Sequence, residues 1–122
     1  MTYPIIVERW PERPERQVEL DQALEANLSN DLIDKVLLLC QPGATWPEHP
    51  KIEPVKLSSR LTFNETLACI NEHLPSRVVI LANADIVYDH TLSVLDTYDW
   101  DTHVACLARW FQHDGRWWPF IS

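Results

Sequence analysis

Glycine is scarce in this chain, whose 122 residues include only Gly43 and Gly115. Phosphate-binding loops of the P-loop and dinucleotide-fingerprint types need several closely spaced glycines, because their backbone amides must approach the phosphates. The sequence therefore excludes both types of site. It also lacks any run of about 18 uncharged apolar residues, so it predicts no membrane span.

Positive charge is also in short supply, with 10 Lys and Arg residues against 18 Asp and Glu and a formal net charge of −8. The basic residues are dispersed along the chain. Because binding a phosphate backbone needs clustered Lys and Arg, nucleic acid is not expected as a partner. A small phosphate ligand is still compatible with this charge if a divalent cation accompanies it.

Cysteine occurs three times, at Cys40, Cys69 and Cys106, each inside an apolar run. No two of them are close enough in sequence to suggest a cysteine-based metal site. Buried free thiols in a reducing compartment explain them best, so we expect a cytoplasmic protein. The start of the chain, residues 1–4, has no basic region and does not resemble a secretory signal.

Apolar patterning predicts alternating strands and helices. A stripe of Leu20, Leu24 and Leu28 indicates an amphipathic helix, and the spacing of Thr62 and Glu65 is that of a helix capping box. The predicted strands are residues 4–8, 36–40, 52–57, 78–82 and 103–110. The predicted helices are residues 15–27, 62–73 and 91–96.

Individual residues predict three further details of these elements. Pro54 should place the third strand at an edge of the sheet or at a bulge, because proline cannot donate to a strand ladder. The second long helix should direct Leu67, Ile70 and Leu74 into a core. The run at 78–82 is predicted to be the most deeply buried strand.

This order of elements is typical of an α/β domain with a mostly parallel sheet and helices packed on its faces. We expect one domain covering residues 1–122. In open parallel sheets, ligands bind beyond the carboxyl ends of the strands. The predicted site therefore lies where the strands end.

The tripeptide Asn83-Ala84-Asp85 follows the predicted fourth strand directly. In extended backbone, residues i and i+2 point the same way, so both polar side chains could face one cation. Mg²⁺ and Mn²⁺ prefer such oxygen ligands, together with phosphate oxygens. The alternative is an ordinary turn that ends the strand, since Asn and Asp favour turns for backbone reasons.

Residues 77–92, followed by 105–110, resemble GT-A-fold nucleotide-diphospho-sugar transferases. The similarity extends upstream to the end of the first strand, to the helix with Leu24 and Asn27, and to residues 60–64. In that family, an Asp-x-Asp-type motif after a central strand binds the divalent cation that bridges the diphosphate. Asn83 and Asp85 match the two ends of that motif.

The resemblance implies a short, Rossmann-like, three-layer domain that binds a nucleotide-diphospho-sugar and leaves sugar transfer open. It implies Mg²⁺ or Mn²⁺ as cofactor, held by Asp85 and Asn83, as in a metal-dependent glycosyltransferase. No catalytic residue is predicted. The residues that it assigns to nucleotide-sugar binding are Glu8, Arg9, Arg60, Asn83, Ala84 and Asp85.

Each of these assignments has a simpler alternative. Glu8 and Arg9 could belong to a surface ion-pair network, and Arg60 could be a solvated arginine. The acidic residues between 89 and 101 could assist a cation, but such runs are more often helix caps and solvated faces.

An aromatic tail, residues 110–122, closes the chain. Aromatic rings bind sugars and also anchor interfaces, and we favour a tail that covers apolar surface within the chain or across a homodimer. The alternative function is thus a non-catalytic interaction module that dimerises through this tail; another alternative is a piece of a longer transferase. The aromatic residues are Trp110, Phe111, Trp117, Trp118 and Phe120.

Overall fold

The computed structural model describes residues 1–104 and 110–119, the latter as backbone except for the side chains of 114–116. Over residues 3–97, helices and strands follow the order that the sequence predicts. In chain order they are β1 (Tyr3–Arg9), α1 (Pro14–Leu28), β2 (Ile33–Cys40), β3 (Ile52–Lys56), α2 (Phe63–His73), β4 (Ile80–Leu81), a 3₁₀ helix (His90–Thr97), β5 (Trp110–His113) and β6 (Arg116–Pro119).

Four strands form one parallel sheet in the order β3-β2-β1-β4. Ile5 of β1 is aligned with Val36 of β2 on one side and with Ile80 of β4 on the other. The predicted parallel α/β architecture is therefore confirmed. A separate antiparallel hairpin joins β5 and β6.

Helices cover both faces of the parallel sheet. On one face, α1 contributes Leu24 and Leu28 and the 3₁₀ helix contributes Leu92 and Leu95 to a single buried cluster. On the other face, Cys69 of α2 packs with strand residues in a second cluster. The three-layer arrangement follows from the alternation of side chains along each strand, which gives the sheet two apolar faces.

The stripe on α1 is buried as predicted, with Leu20, Leu24 and Leu28 each at most 7% exposed. Pro14 stands at the start of this helix, where a missing backbone N–H costs nothing. The run Val36–Cys40 of β2 is buried along its whole length. β1 and β2 are the two inner strands of the sheet, each with a neighbouring strand on both sides, and most of their residues are buried.

α2 begins with the predicted capping box. The Thr62 hydroxyl accepts from the Glu65 backbone N–H at 3.2 Å, and the Glu65 carboxylate accepts from the Thr62 N–H at 3.0 Å. The predicted inward face is partly wrong, because Leu67 is 41% exposed. Ile70 and Leu74 pack in the second cluster as predicted, and Thr66 and Cys69 are the buried residues of the helix in place of Leu67.

The fourth strand is not the most deeply buried strand, contrary to the prediction. β4 has only two residues and forms an edge of the sheet, where Leu81 is 49% exposed. Of these two residues, Ile80 is buried in the core, and Val78 and Ala82 pack against the same cluster half-buried. The apolar run correctly predicted a strand. It did not predict the burial of that strand, because burial depends on the elements that pack beside it. The other edge is β3, as Pro54 predicted.

The cysteine prediction is confirmed for Cys40 and Cys69, which are free and buried. Burial raises the pKa of both thiols above its ordinary value. Cys106, like most of the predicted strand at 103–110, lies outside the described residues. Among the residues described, no helix is long and apolar enough to cross a membrane.

Tyr3 joins the start of the sheet to the 3₁₀ helix. Its ring is 1% exposed, and its hydroxyl donates to Oδ1 of Asp96. Burial first, and then the Asp96 carboxylate, raise the pKa of Tyr3 to about 12. The neutral phenol is therefore the form that the fold favours.

Replacing Tyr3 with Phe should remove part of the sensitivity of the fold to alkaline pH. The raised pKa stabilises the fold fully below the unfolded-state value near 10, and this stabilisation is lost as the pH rises towards 12. Between about pH 8 and about pH 11, the wild type should lose about 1.4 kcal/mol more unfolding free energy than Tyr3→Phe, measured by urea denaturation. Equal losses in the two proteins would contradict this assignment.

Candidate functional site

A cavity of about 630 Å³ lies at the carboxyl edge of the sheet. It is bounded by the ends of β1 and β4, the first turn of α1 and the beginning of α2. This is the position expected for a ligand site in an open parallel sheet. The polar and aromatic residues that line it are Glu8, Trp10, Arg16, Arg60, Phe63, Thr66, Asn83 and Asp85, with Ala84 beside the last two.

Glu8 and Arg9 are adjacent in sequence but face opposite sides of the sheet, because successive residues of a strand alternate. Glu8 lines the cavity, with its Oε2 atom 3.6 Å from Nε of Arg60. Arg9 instead pairs with Asp21 of α1 and donates through Nε to the carbonyl of Thr45 at 2.9 Å.

Arg9 is thus in an ion pair, as the simpler alternative expects, although its own side chain is only 5% exposed. Its guanidinium ties the loop after β2 to α1. The structure thus brings Glu8 and Arg60 to the cavity but places Arg9 in the layer behind it.

The tripeptide Asn83-Ala84-Asp85 forms a turn rather than extended backbone. The N–H of Ile86 donates to the carbonyl of Asn83 at 3.3 Å, which closes a four-residue turn. The expectation that an extended segment would align the Asn83 and Asp85 side chains is therefore wrong. Both residues nevertheless border the same cavity.

Asp85 has a fixed partner in α1. Its Oδ2 accepts from Nη2 of Arg16 at 3.0 Å, and each side chain is about one-third exposed. Arg16 also bonds to Glu19 one turn later, and hydrogen bonds to Glu19 and then to Asp85 raise the pKa of Arg16 above its ordinary value. The guanidinium of Arg16 is thus positioned at the cavity by two carboxylates.

The segment after the turn is held by a buried amide. Asn27 of α1 is 3% exposed; its Nδ2 donates to the Ile86 carbonyl at 2.8 Å, and its Oδ1 accepts from the Tyr88 N–H at 2.9 Å. Asn30 adds a bond to the Tyr88 carbonyl at 3.1 Å. These bonds imitate a strand ladder, so α1 fixes the backbone that follows Asp85.

Trp10 is a cavity residue that the sequence patterns did not single out. It directly follows β1, is half-buried, and donates through Nε1 to the Glu12 carboxylate at 3.0 Å. That bond, with the Arg13 backbone bond, lowers the pKa of Glu12. Its position after the first strand was a signal that could have identified it, because the carboxyl ends of the strands share one edge.

The side-chain oxygens of the Asn83–Asp85 turn make up only part of a cation site. Within residues 1–104 and 110–119, no group of three or more His, Cys, Asp and Glu side chains is arranged to hold a metal ion. Asp85 and Asn83 offer one carboxylate and one amide, a donor set that suits a cation carried in by phosphate oxygens. Asp85 would have to release Arg16 to accept such a cation.

The acidic residues beyond the turn act locally. Asp89 caps the 3₁₀ helix by accepting from the Thr91 N–H at 2.9 Å, and these Thr91 bonds lower the pKa of Asp89. Asp99 accepts from the Asp101 N–H at 3.1 Å. Asp96 bonds to Tyr3. The helix-cap alternative therefore describes Asp89, whereas Asp99 stabilises a turn.

The aromatic tail supplies the backbone of a hairpin, in which Trp110 pairs with Pro119 and Phe111 with Trp118. The side chains of Trp110, Phe111, Trp117 and Trp118, and the whole of Phe120, lie outside the described residues. Dimerisation through this tail stays a prediction.

Comparisons of the chain with protein-family models, with curated proteins and with solved structures found no match.

Asn27→Ala should destabilise the protein and loosen the segment behind Asp85. Removing the amide leaves the Ile86 carbonyl and the Tyr88 N–H without their partner, a loss of about 1–3 kcal/mol in unfolding free energy by urea denaturation. Hydrogen exchange at the Tyr88 amide should accelerate. Asn71→Ala, an exposed change on α2, serves as the control; equal effects of the two substitutions would refute this role of Asn27.

Proposed function

We propose that this protein is a glycosyltransferase-like domain that binds a nucleotide-diphospho-sugar in the cavity at the carboxyl edge of the sheet. The observation that carries the proposal is the convergence of Arg16, Arg60 and the Asn83–Asp85 turn on one cavity of about 630 Å³. Its volume is within the range of small-molecule sites, about 300–1,000 Å³.

The charges of the cavity suit a diphosphate accompanied by a cation. Its arginines are each paired with a carboxylate, Arg16 with Asp85 and Arg60 with Glu8. Guanidinium groups bind phosphate well because their planar donors match its oxygens. The two carboxylates balance the arginines in the free protein and become available to a cation when phosphate engages those arginines.

Aromatic side chains supply surface for the uncharged parts of the ligand. Trp10 is half-buried at the end of β1, and Phe63 is 66% exposed at the beginning of α2. Both line the cavity. Bases and sugar rings stack on such faces, so this wall of the cavity suits the nucleoside or the sugar.

Asp85 and Asn83 would hold Mg²⁺ or Mn²⁺. When bound, the cation would supply Lewis-acid stabilisation of the diphosphate. The turn places these two residues at the cavity edge, and Asn27 keeps the following backbone in position.

One observation favours a second function, that of a non-catalytic interaction module. The salt bridge between Arg16 and Asp85 closes the turn with side chains of the protein itself. An interaction module predicts a stable dimer by light scattering and no nucleotide binding. A nucleotide-sugar-binding domain predicts binding irrespective of oligomeric state.

Calorimetric titration with UDP- and GDP-linked sugars, with and without Mn²⁺, should detect binding that is stronger with the cation. Asp85→Ala should lower the affinity in Mn²⁺ by about tenfold or more, because it removes the carboxylate ligand of the turn.

Asp31→Ala is the matched control, since Asp31 is an exposed aspartate at the amino edge of the sheet, before β2. It should bind as the wild type does. Absence of any cation-dependent binding by the wild type, or unchanged binding by Asp85→Ala, would exclude the proposed function.

A further inference from the structure

Arg16 is the best positioned cation of the cavity. It lies in the first turn of α1, about one-third exposed, with Glu19 and Asp85 fixing its guanidinium. Arg60 is 78% exposed in its side chain and lies 3.6 Å from Glu8, so its position is less restrained. Arg9 is committed to Asp21 and Thr45 behind the sheet.

We propose that Arg16 is the principal phosphate-binding side chain of this cavity, and that its ion pair with Asp85 competes with phosphate binding in the free protein. The inference rests on the proposed function, since it names the residue that recognises the diphosphate. In the free protein, Nη2 of Arg16 donates to Asp85. On ligand binding, Arg16 exchanges this carboxylate for phosphate oxygens.

Arg16 can make this exchange without a change in the fold. Its backbone belongs to α1, which is anchored by the buried stripe of Leu20, Leu24 and Leu28 and by the bonds of Asn27. The ion pair itself is partly exposed, and such pairs are weak compared with hydrogen bonds from guanidinium to phosphate. A side-chain rotation of Arg16 therefore suffices.

The shared Asp85 makes cation binding and nucleotide binding interdependent. When Asp85 pairs with Arg16, its carboxylate is less available to a cation, and Arg16 is less available to phosphate. A cation bound to Asp85 makes Arg16 available to phosphate, and phosphate bound to Arg16 makes Asp85 available to a cation. Thermodynamic linkage then requires that a cation and a nucleotide raise each other's affinity by the same factor.

Three variants of the full chain test this exchange by titration with UDP- and GDP-linked sugars, with and without Mn²⁺. Arg16→Gln should bind about tenfold more weakly than the wild type in Mn²⁺. Arg16→Lys, which keeps the charge but not the planar donor set, should recover part of that loss.

Asp85→Asn gives the readout that a merely structural role for Arg16 would not produce. It releases Nη2 of Arg16 from the Asp85 carboxylate while Nη1 keeps its bond to Glu19. Binding without Mn²⁺ should therefore become several-fold tighter than that of the wild type, and Mn²⁺ should add little. Arg13→Gln is the matched control, because Arg13 is an exposed arginine just before α1 that does not line the cavity. It should bind as the wild type does.

The outcomes separate the inference from the proposed function. If the wild type binds nucleotide-sugars but Arg16→Gln binds as tightly as Arg13→Gln, the role of Arg16 is overturned and the proposed function stands. If Asp85→Asn binds no better than the wild type without Mn²⁺, the ion pair with Asp85 does not compete with phosphate for Arg16. If the wild type binds no nucleotide-sugar at all, the proposed function fails and the inference fails with it.

Discussion

The site depends on one buried side chain, Asn27. Its amide bonds to the backbone at Ile86 and Tyr88 give the segment after the turn a partner that the short strand β4 cannot supply. Because β4 has only two residues, the chain beyond it would otherwise leave the sheet with unsatisfied backbone groups near the core. α1 therefore supports the site twice, through Asn27 at its end and through Arg16 at its beginning.

Local patterns predicted the parts of the fold that local interactions determine. The leucine stripe of α1 and the capping box at Thr62 are both contained within one helix, and the structure has both. The burial of β4 and the inner face of α2 were predicted less well. Leu67 and Leu81 are exposed, since their burial depends on which elements pack beside them. The identity of an apolar residue does not by itself determine which residues surround it in the fold.

The position of the site was predictable, but its internal contacts were not. Parallel topology alone directs Glu8, Arg60 and the turn to one edge of the sheet. The alternation of side chains along a strand is also a sequence-level rule, and it is sufficient to separate Glu8 from Arg9. The ion pair of Arg16 with Asp85 joins residues 69 positions apart, and no spacing rule connects them. Such a pair follows from the packing of α1 against the sheet, which only the folded chain defines.

The pairing of each cavity arginine with a carboxylate also fits the charge of the whole chain. A protein with a formal net charge of −8 repels free phosphate at long range, so a diphosphate alone approaches it against the field. A cation that travels with the diphosphate reduces this repulsion and gives the carboxylates a new partner. Under the proposed function, Arg16 and Asp85 would both be occupied after binding, each by a group of opposite charge. The Arg16–Asp85 pair is neutral in the free protein, and the proposed exchange would leave neither side chain without a partner of opposite charge. Under that proposal, the ligand and its cation would be coupled more directly than by an isolated arginine.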